Sequence, residues 1–586
     1  MEKWFVKKYS ISDEEVNNIG IDKYVYSILL NRGINKKEDI IKFLNPSTDN
    51  FHSPFLLPNL IKGSNILISA IKENKKIRIV GDYDVDGVMS TFILYKGLKS
   101  FNANVDYVIP NRIIDGYGIN NSIIDNSKED GIDLILTCDN GIAASNQVNY
   151  ANDLGIEIIV TDHHEVPVVD GVEILPKAKA VIDPKMEESK YPFKDICGAV
   201  VAFKLIAYLY LINGKNMDIL YNEFLPYAAI ATICDVMPLI DENRDIVSIG
   251  LEILNNSTDI GIRALIEACD LLDKKIEVFH IGFIIGPTIN SSGRLESADI
   301  AIKMLVEENY DKALEYAKYL RNLNYERQRL TDDGFNKIDS IINTYDLTKK
   351  FPVLILRETS INESVVGIIA GRIKEKYNQP TIILTKSHEL LKGSGRSIEN
   401  YDMFAKVSEF KHMLSSFGGH KMACGLSLEE EKFKDFVINI NNNSNLKKED
   451  FVRKVNIDLP ISLKDVTSDL IINILKLRPF GTKNPKPLLA TKSLRMSNFM
   501  VLGKNENVIK FNLTDGFVSR EALLFENINV FKSKFLEIYN EDELNNLIKL
   551  NKSRALIDVV YSPEFNEFRG QKTIQLKISN YRFVGV

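Results

Sequence analysis

Three aspartates at alternating positions, Asp82, Asp84 and Asp86, stand in the heptapeptide GDYDVDG. Taken alone, a segment rich in Asp and Gly is a turn. The reading changes when TCDNG, carrying Asp139, and TDHHE, carrying Asp162, His163 and His164, are set beside it, because each follows a short apolar run. A fourth segment, ATICDVMPL, ends an apolar helix-like run on Asp235. Carboxylates gathered this closely repel one another, and divalent cations are the simplest offset. Carboxylate and imidazole without thiolate suit a hard ion such as Mn2+ or Mg2+.

A second set of residues is suited to holding phosphate. PNRIIDGYG offers Arg112, TINSSGRLESA offers Asn290 and Arg294, GSGRS offers Ser394 and Arg396, and FGGHKMACG offers Gly418, Gly419 and His420. Glycines at such places let backbone N–H groups approach an anion. Each of these segments is individually common. His52, His280, His388 and His412 stand outside any ligand-like spacing and are expected to be structural or exposed, and nothing in the sequence gives Trp4 a role.

Elements must bring these residues together. Apolar runs at Ile77–Val80, Val105–Ile109, Leu134–Thr137, Ile156–Val160 and Ala180–Ile182 are separated by helix-length segments. The alternation predicts a parallel sheet with crossover helices, in which ligands sit beyond the carboxyl ends of the strands. The aspartates and histidines fall at those ends. A long helical period from about 300 to 345 reads as a connector between two lobes. A second, smaller α/β block follows, with strands at Val353–Leu356 and Thr381–Leu384 and helices near 365–376 and 403–414. From about Phe451 short strands and turns predict a small barrel or sandwich. Lys476, Arg478, Lys483 and Lys486, around RPFGTKNPKP, could line its entry. The expected division is a helical segment 1–60, a catalytic domain 61–299, a connector 300–347, a second α/β domain 348–452 and a barrel 453–586.

GDYDVDG, TCDNG, TDHHE and CDVMPL together resemble the four ordered motifs of the DHH phosphoesterase family, and the phosphate-holding segments resemble its RecJ branch of single-strand-specific 5′ exonucleases. The resemblance runs from about residue 50 to the end. It implies a two-lobed DHH/DHHA1 core joined by a long helix, with a C-terminal oligonucleotide-binding-type β-barrel. It implies a site for two divalent ions, Mn2+ or Mg2+, held by Asp84, Asp86, Asp139, His163 and Asp235 with Asp82 contributing. His164 would contact the scissile phosphate or act as an acid. Arg112, Arg294, Ser394 and Arg396 would bind phosphates, the 5′-terminal one among them, and Asn290 would be a further substrate-binding residue. Gly418, Gly419 and His420 would form the substrate-binding GGH motif of the second lobe, with His420 contacting substrate near the metals. Many family members acting on small substrates carry a histidine four residues before Asp84, where this chain has Val80; Asp82 is the substitute the RecJ branch implies. Ser291, Ser292 and Cys424 replace common alanines at similar size.

Composition narrows the class. The 586 residues are 45% hydrophobic and 26% charged, an ordinary globular composition, and disorder is excluded. Lys plus Arg is 73 against Asp plus Glu 79, net charge −6, so a polyanion must be met by a local groove and not by bulk charge. Five scattered cysteines exclude a zinc ribbon or disulfide framework, no apolar run is long enough for a membrane span, and the first residues lack a signal-peptide pattern, so a cytoplasmic, monomeric protein is expected. The resulting expectation is a 5′→3′ exonuclease on single-stranded DNA, supplied by a helicase and a single-strand-binding protein and acting in repair and recombination. The rivals are a phosphodiesterase for short or signalling nucleotides, disfavoured by the barrel, and a non-catalytic scaffold, disfavoured by the complete Asp/His set.

Overall fold

The structure, a computed structural model, describes residues 2–6, 16, 20–112, 116–551 and 553–585. It divides into two compact units, one of residues 51–237 and 241–453, the other of 1–50, 238–240 and 454–586. The first carries all the Asp/His and phosphate-holding residues singled out above.

Its first sheet is parallel and five-stranded: β1 (Ile77–Val80), β2 (Val105–Val108), β3 (Leu134–Cys138), β4 (Glu157–Thr161) and β5 (Ala180–Ile182), in the order β2-β1-β3-β4-β5. Strands β3 and β5 are buried throughout, as parallel strands covered on both faces must be. Helix α1 (Val85–Lys99) follows β1 and is apolar around nearly its whole circumference, so it is enclosed by helices α2 (Gly198–Ile212) and α3 (Met217–Cys234) as well as by the sheet. Gly97 of α1 makes the α1–α2 approach possible, since a Cβ there would fall 2.7 Å from Ile206. A π-turn at Ile281–Ile285 leads into α4 (Gly286–Leu295).

The long helical region is not one helix. It breaks after Asp299–Val306 and restarts as α5 (Tyr310–Thr344), because the Asn309 side chain accepts the Lys312 N–H at 3.1 Å and caps a new start. Beyond α5 lies a mixed sheet of β6 (Leu354–Arg357), β7 (Thr381–Ser387), β8 (Leu390–Arg396), β9 (Ser416–His420) and β10 (Ala423–Leu428), ordered β9-β10-β8-β7-β6, with α6 (Val366–Tyr377) packed on β7 and β8.

In the other unit, strands Leu489–Leu502, Val508–Thr514, Ser519–Leu524, Gln571–Val584 and Leu556–Phe568 pair in that order, and the last returns to the first, closing a five-stranded barrel. Of the residues expected as a separate N-terminal segment, 1–50 belong to this unit and 51–60 to the other. Val25, Ile28, Leu29 and Ile40, from helices Lys23–Asn31 and Lys37–Leu44, are buried in one core with Leu459, Leu470, Phe511 and Tyr561.

Candidate active site

All four acidic segments meet at the carboxyl edge of the parallel sheet. Asp82 follows β1, and Asp84 caps α1 by accepting the Gly87 N–H at 3.1 Å. Asp86, in the first turn of α1, reaches across to the N-terminus of α2, where its two oxygens accept the Gly198 and Ala199 N–H groups at 2.6 and 2.8 Å. A helix N-terminus is a favourable place for a carboxylate. Gly198 is required there, because a Cβ would lie 2.8 Å from the Asp139 Cβ. Asp139 itself leaves β3 in a left-handed conformation (φ +61), which aspartate tolerates better than most residues. Asp235 ends α3, and the next residue, Val236, is also left-handed at φ +58, an uncommon state for a β-branched side chain that turns the chain sharply at the site.

The carboxylates focus on His163. Its Nε2 lies 3.0 Å from Asp139 Oδ1, 3.4 Å from Asp86 Oδ2 and 3.8 Å from Asp235 Oδ2. Ligand atoms fall into three overlapping groups: Asp82, Asp84 and Asp139; Asp86, His163 and Asp235; and Asp139, His163 and His164. Burial first, and then the neighbouring carboxylates, hold Asp84 and Asp139 above the ordinary carboxylate range and push Asp82 and Asp235 up to about 8. Buried Asp82 Oδ1, His163 Nδ1 and Asp235 Oδ2 have no hydrogen-bond partner among the described residues. Repelling carboxylates, unsatisfied buried acceptors and oxygen-rich ligand groups fit divalent hard cations.

Some positioning residues carry no independent sequence signal. Asp162 was visible in TDHHE but its task was not. Its Oδ2 accepts the Ile142 N–H at 2.9 Å, and its Oδ1 accepts the N–H groups of His163 and His164 and the His164 Nδ1–H at 2.8 Å. Burial alone would raise Asp162, but the His164 bond and charge outweigh it and its pKa falls. Burial would likewise lower His164, yet the same partner carries it up to about 9. The bond fixes the His164 tautomer, leaving Nε2 on a ring that is about half exposed (46%). Asn140 stitches the edge: its Nδ2 donates to Val80 and Cys138 carbonyls at 3.0 and 2.9 Å, and its Oδ1 accepts the Ile119 N–H at 3.1 Å. Tyr117 donates to the Asp139 carbonyl at 2.7 Å and packs edge-on against His164. Asp183, at the end of β5, is buried and pushed up to about 8 by burial and then by Asp162.

Beside the carboxylates lies a basic cavity of about 690 Å3 lined by Arg112, Arg294, Ser394, Arg396 and the start of α6. Arg112 lies over the Tyr83 ring at 5.2 Å, and a Cβ on Gly293 would fall 2.4 Å from the Tyr83 carbonyl, so α4 is pressed against the acidic turn. Arg294 donates to the Ser364 carbonyl at 3.1 Å; burial, then repulsion from Arg112 and Arg327, lowers it to about 10. Arg396 donates to Ser394 Oγ at 2.7 Å and is lowered by burial. Gly367 leaves the room, since a Cβ there would lie 2.9 Å from Arg396 Nη2. Crowded, partly desolvated guanidinium groups beside a helix N-terminus make an anion site.

Three sequence expectations look different in place. Asn290 spends its Oδ1 on the Val85 N–H at 3.1 Å, clamping α4 to the start of α1. The GSGRS glycines are not a loop cradling an anion: Gly393 and Gly395 lie within β8, paired with β7 and β10 on either side, so the side chains of Ser394 and Arg396 face the cavity. Gly418, Gly419 and His420 lie on the edge strand β9, outside the cavity lining, with Gly419 at φ +146. Of the barrel cations, Lys486 pairs with Glu564 at 2.9 Å.

Family models match the DHH family N-terminal domain over residues 76–232, the DHHA1 domain over 350–443 and the RecJ OB domain over 457–580. The single-stranded-DNA-specific exonuclease RecJ of Bacillus subtilis strain 168 is 33% identical over 566 residues, covering 96% of this chain and 68% of that protein. The chain belongs to the RecJ family. The RecJ of Escherichia coli K12 is 30% identical over 545 residues, covering 89% of this chain and 90% of that one. The fold agrees with a Thermus thermophilus RecJ solved in complex with Mn2+, at a TM-score of 0.81 and 24% identity over 99% of this chain and 79% of that one. A RecJ exonuclease bound to manganese aligns at 29% identity and a TM-score of 0.57 over 67% of this chain and 96% of that one. Among the described residues, no single helix is long and apolar enough to cross a membrane.

Proposed function

We propose that this RecJ-family chain is a metal-dependent exonuclease that degrades single-stranded DNA from the 5′ end and releases 5′-mononucleotides. The observation that carries the reading is the juxtaposition of the acidic edge with the arginine cavity: Arg294 stands at the end of the helix that Asn290 ties to α1, and Arg112 covers Tyr83 between Asp82 and Asp84. A terminal 5′ phosphate gripped by Arg112, Arg294, Ser394 and Arg396 sets the next phosphodiester at the carboxylates, so the leaving fragment is one nucleotide.

Asp82, Asp84 and Asp139 would hold one divalent ion and Asp86, His163 and Asp235 the other, with Asp139 close to both groups. Mn2+ or Mg2+ bound there supplies an activated water and neutralises charge on the phosphate. The chain's own residues do the rest. Asp162 holds the His164 ring with Nδ1 protonated, so that its outward Nε2–H, in the charged form, donates to a non-bridging oxygen of the scissile phosphate. Asn140 and Tyr117 keep Asp139 and His164 in register. Gly418, Gly419 and His420 on β9 would meet the strand further from the reacting phosphorus. The barrel is read as a strand-holding module, as oligonucleotide-binding barrels are. The setting is the cytoplasm, in repair and recombination, with the chain acting as a monomer on strands opened by a helicase and handled by a single-strand-binding protein.

Digestion of 5′- and 3′-labelled single strands with Mn2+, Mg2+ or chelator tests the reading. The 5′ label should be released first as a mononucleotide, only with metal, and not by Asp139→Ala. Earlier release of the 3′ label, or full turnover of Asp139→Ala in saturating Mn2+, overturns it.

A further inference from the structure

The chain has a single tryptophan, Trp4, on the strand Glu2–Val6 that pairs with Arg453–Ile457 at the barrel unit. One side of the indole is packed against Val455, Ile457 and Val560. The Arg582 guanidinium lies over the ring, 4.7 Å from its centroid. It is held in that plane from behind: its Nε and Nη2 donate to Asp558 Oδ2 at 3.0 and 2.8 Å, and Asp558 is buried (3%). Yet the Arg582 side chain is itself 56% exposed, so the guanidinium is fixed while much of its surface stays open. In front is a cavity of about 420 Å3 with an apolar floor that includes Ile457 and Pro460, and with Lys492 at its side. None of its described lining residues is acidic, in a chain whose net charge is −6.

We propose that Trp4, Arg582 and Lys492 form a subsite for one nucleotide of single-stranded DNA on the barrel unit. This deepens, and rests on, the reading of the barrel as a strand-holding module. A planar cation already stacked on an aromatic ring is a platform onto which a nucleobase stacks. The cavity is of the size that takes a small ligand, roughly 300–1,000 Å3. The Lys492 ammonium supplies the phosphate contact, and the apolar floor meets the sugar and base edge. Specificity for base identity is not built in, because stacking accepts every base and the cavity offers no paired set of donors and acceptors. The arrangement also means that the N-terminal strand, whose chemistry the sequence left open, completes a surface that the barrel strands alone would not have.

Because Trp4 is the only tryptophan, its emission reports on this subsite alone. The full chain, loaded with Mg2+, is titrated with a phosphorothioate oligothymidylate that resists hydrolysis, while anisotropy of an end-labelled copy of the same strand reports total binding. Trp4 emission should be quenched along the same isotherm as the anisotropy, and the quench should need more strand as salt rises. Lys492→Glu should weaken long-strand binding about tenfold, and Arg582→Ala by a similar or larger factor. Lys492 is exposed, so Lys492→Glu guards against misfolding of the arginine variant, and thermal melts of both variants check that each is folded. Full anisotropy binding with unchanged Trp4 emission overturns the subsite and leaves the exonuclease reading intact. So does quenching by an acidic peptide ending in apolar residues that the strand cannot displace, which would make the cavity a protein-docking site. Absence of both strand binding and hydrolysis in the wild-type chain is failure of the exonuclease reading itself.

Discussion

Replacing Gly198 by alanine tests how rigidly helix packing sets the ligand constellation. A Cβ at that position lies 2.8 Å from Asp139 Cβ and 3.0 Å from Asp139 Oδ1, whereas ordinary contact begins at 3.4 Å, so the two must separate by about 0.6 Å. Neither side yields freely. Asp139 is fixed by its N–H bond to the Thr161 carbonyl at 3.1 Å, and α2 is anchored by the Gly198 and Ala199 bonds to Asp86. Overpacking of this kind costs about 1–3 kcal/mol of stability. A misplacement of 1 Å costs roughly 100-fold in rate, so 0.6 Å should cost about 10–20-fold, together with a higher requirement for Mg2+ or Mn2+. Gly97→Ala is the matched control. It overpacks α2 at a different place, against α1 and 2.7 Å from Ile206, about 16 Å further along α1 from Asp86. Thermal unfolding and single-turnover cleavage across a metal titration should therefore show similar destabilisation in both variants, with the metal and rate defect confined to Gly198→Ala. Equal rate losses in the two, or wild-type metal dependence in Gly198→Ala, would refute the reasoning.

In the metal-free protein, Asp82 and Asp235 have folded pKa values of about 8, so the stability they contribute is fully present below about pH 4 and is lost as pH rises through 8. Thermal melts in chelator should fall between about pH 4 and pH 8 and level off above it, and the gain on adding Mg2+ should be largest above 8; a gain that is flat with pH contradicts this. Asp162→Asn removes the charge that carries His164 up to about 9, so His164 should lose its proton nearer 6.5 and the alkaline limb of the rate profile should move to lower pH, with activity down about 10–100-fold. An unmoved limb would exclude His164 as the titrating group. Arg396→Ala should weaken strands with a 5′ phosphate about tenfold or more and leave 5′-hydroxyl strands nearly unaffected; equal losses would put Arg396 on an internal phosphate. Removing residues 454–586 alone should give an aggregating protein, because Val25, Ile28, Leu29 and Ile40 lose their core. Removing 1–50 as well should leave a soluble enzyme that cleaves short oligonucleotides normally and loses affinity for long strands at low salt, read by gel filtration and single-turnover assays; insolubility of both truncations would mean the barrel unit supports the catalytic one.

Much of the parallel sheet and its acidic edge was legible because both signals are local. The run Ile77–Val80 is a strand with the expected bounds, and Asp82, Asp84 and Asp86 follow it directly. What was not legible depends on distant partners. The work of Asp162 is visible only once Ile142 and His164 are folded against it, and that of Asn140 only once Val80 and Ile119 meet. Glycine disfavours strands, so GSGRS carries no local strand signal, yet a Cβ on Gly393 would fall 2.6 Å from the Ile383 carbonyl of β7, and that close approach is why glycine is there. The 300–345 helix breaks at Asn309, a cap that helical periodicity does not register. The place of the N-terminal helices was hidden for the same reason: their apolar faces call for a core, but nothing local says which.

That shared core has a consequence in time. Helices Lys23–Asn31 and Lys37–Leu44 are made about four hundred residues before Leu459, the earliest of their buried partners. At roughly 5–20 residues per second, that is about 20–80 s of synthesis during which Ile28, Leu29 and Ile40 lack the C-terminal part of their core. The acidic edge, by contrast, has all its ligands once Asp235 has emerged. The ribosome therefore delivers a finished catalytic sheet while the start of the same chain is still waiting for its mate. Any chaperone that attends this protein during translation should be found on residues 20–50.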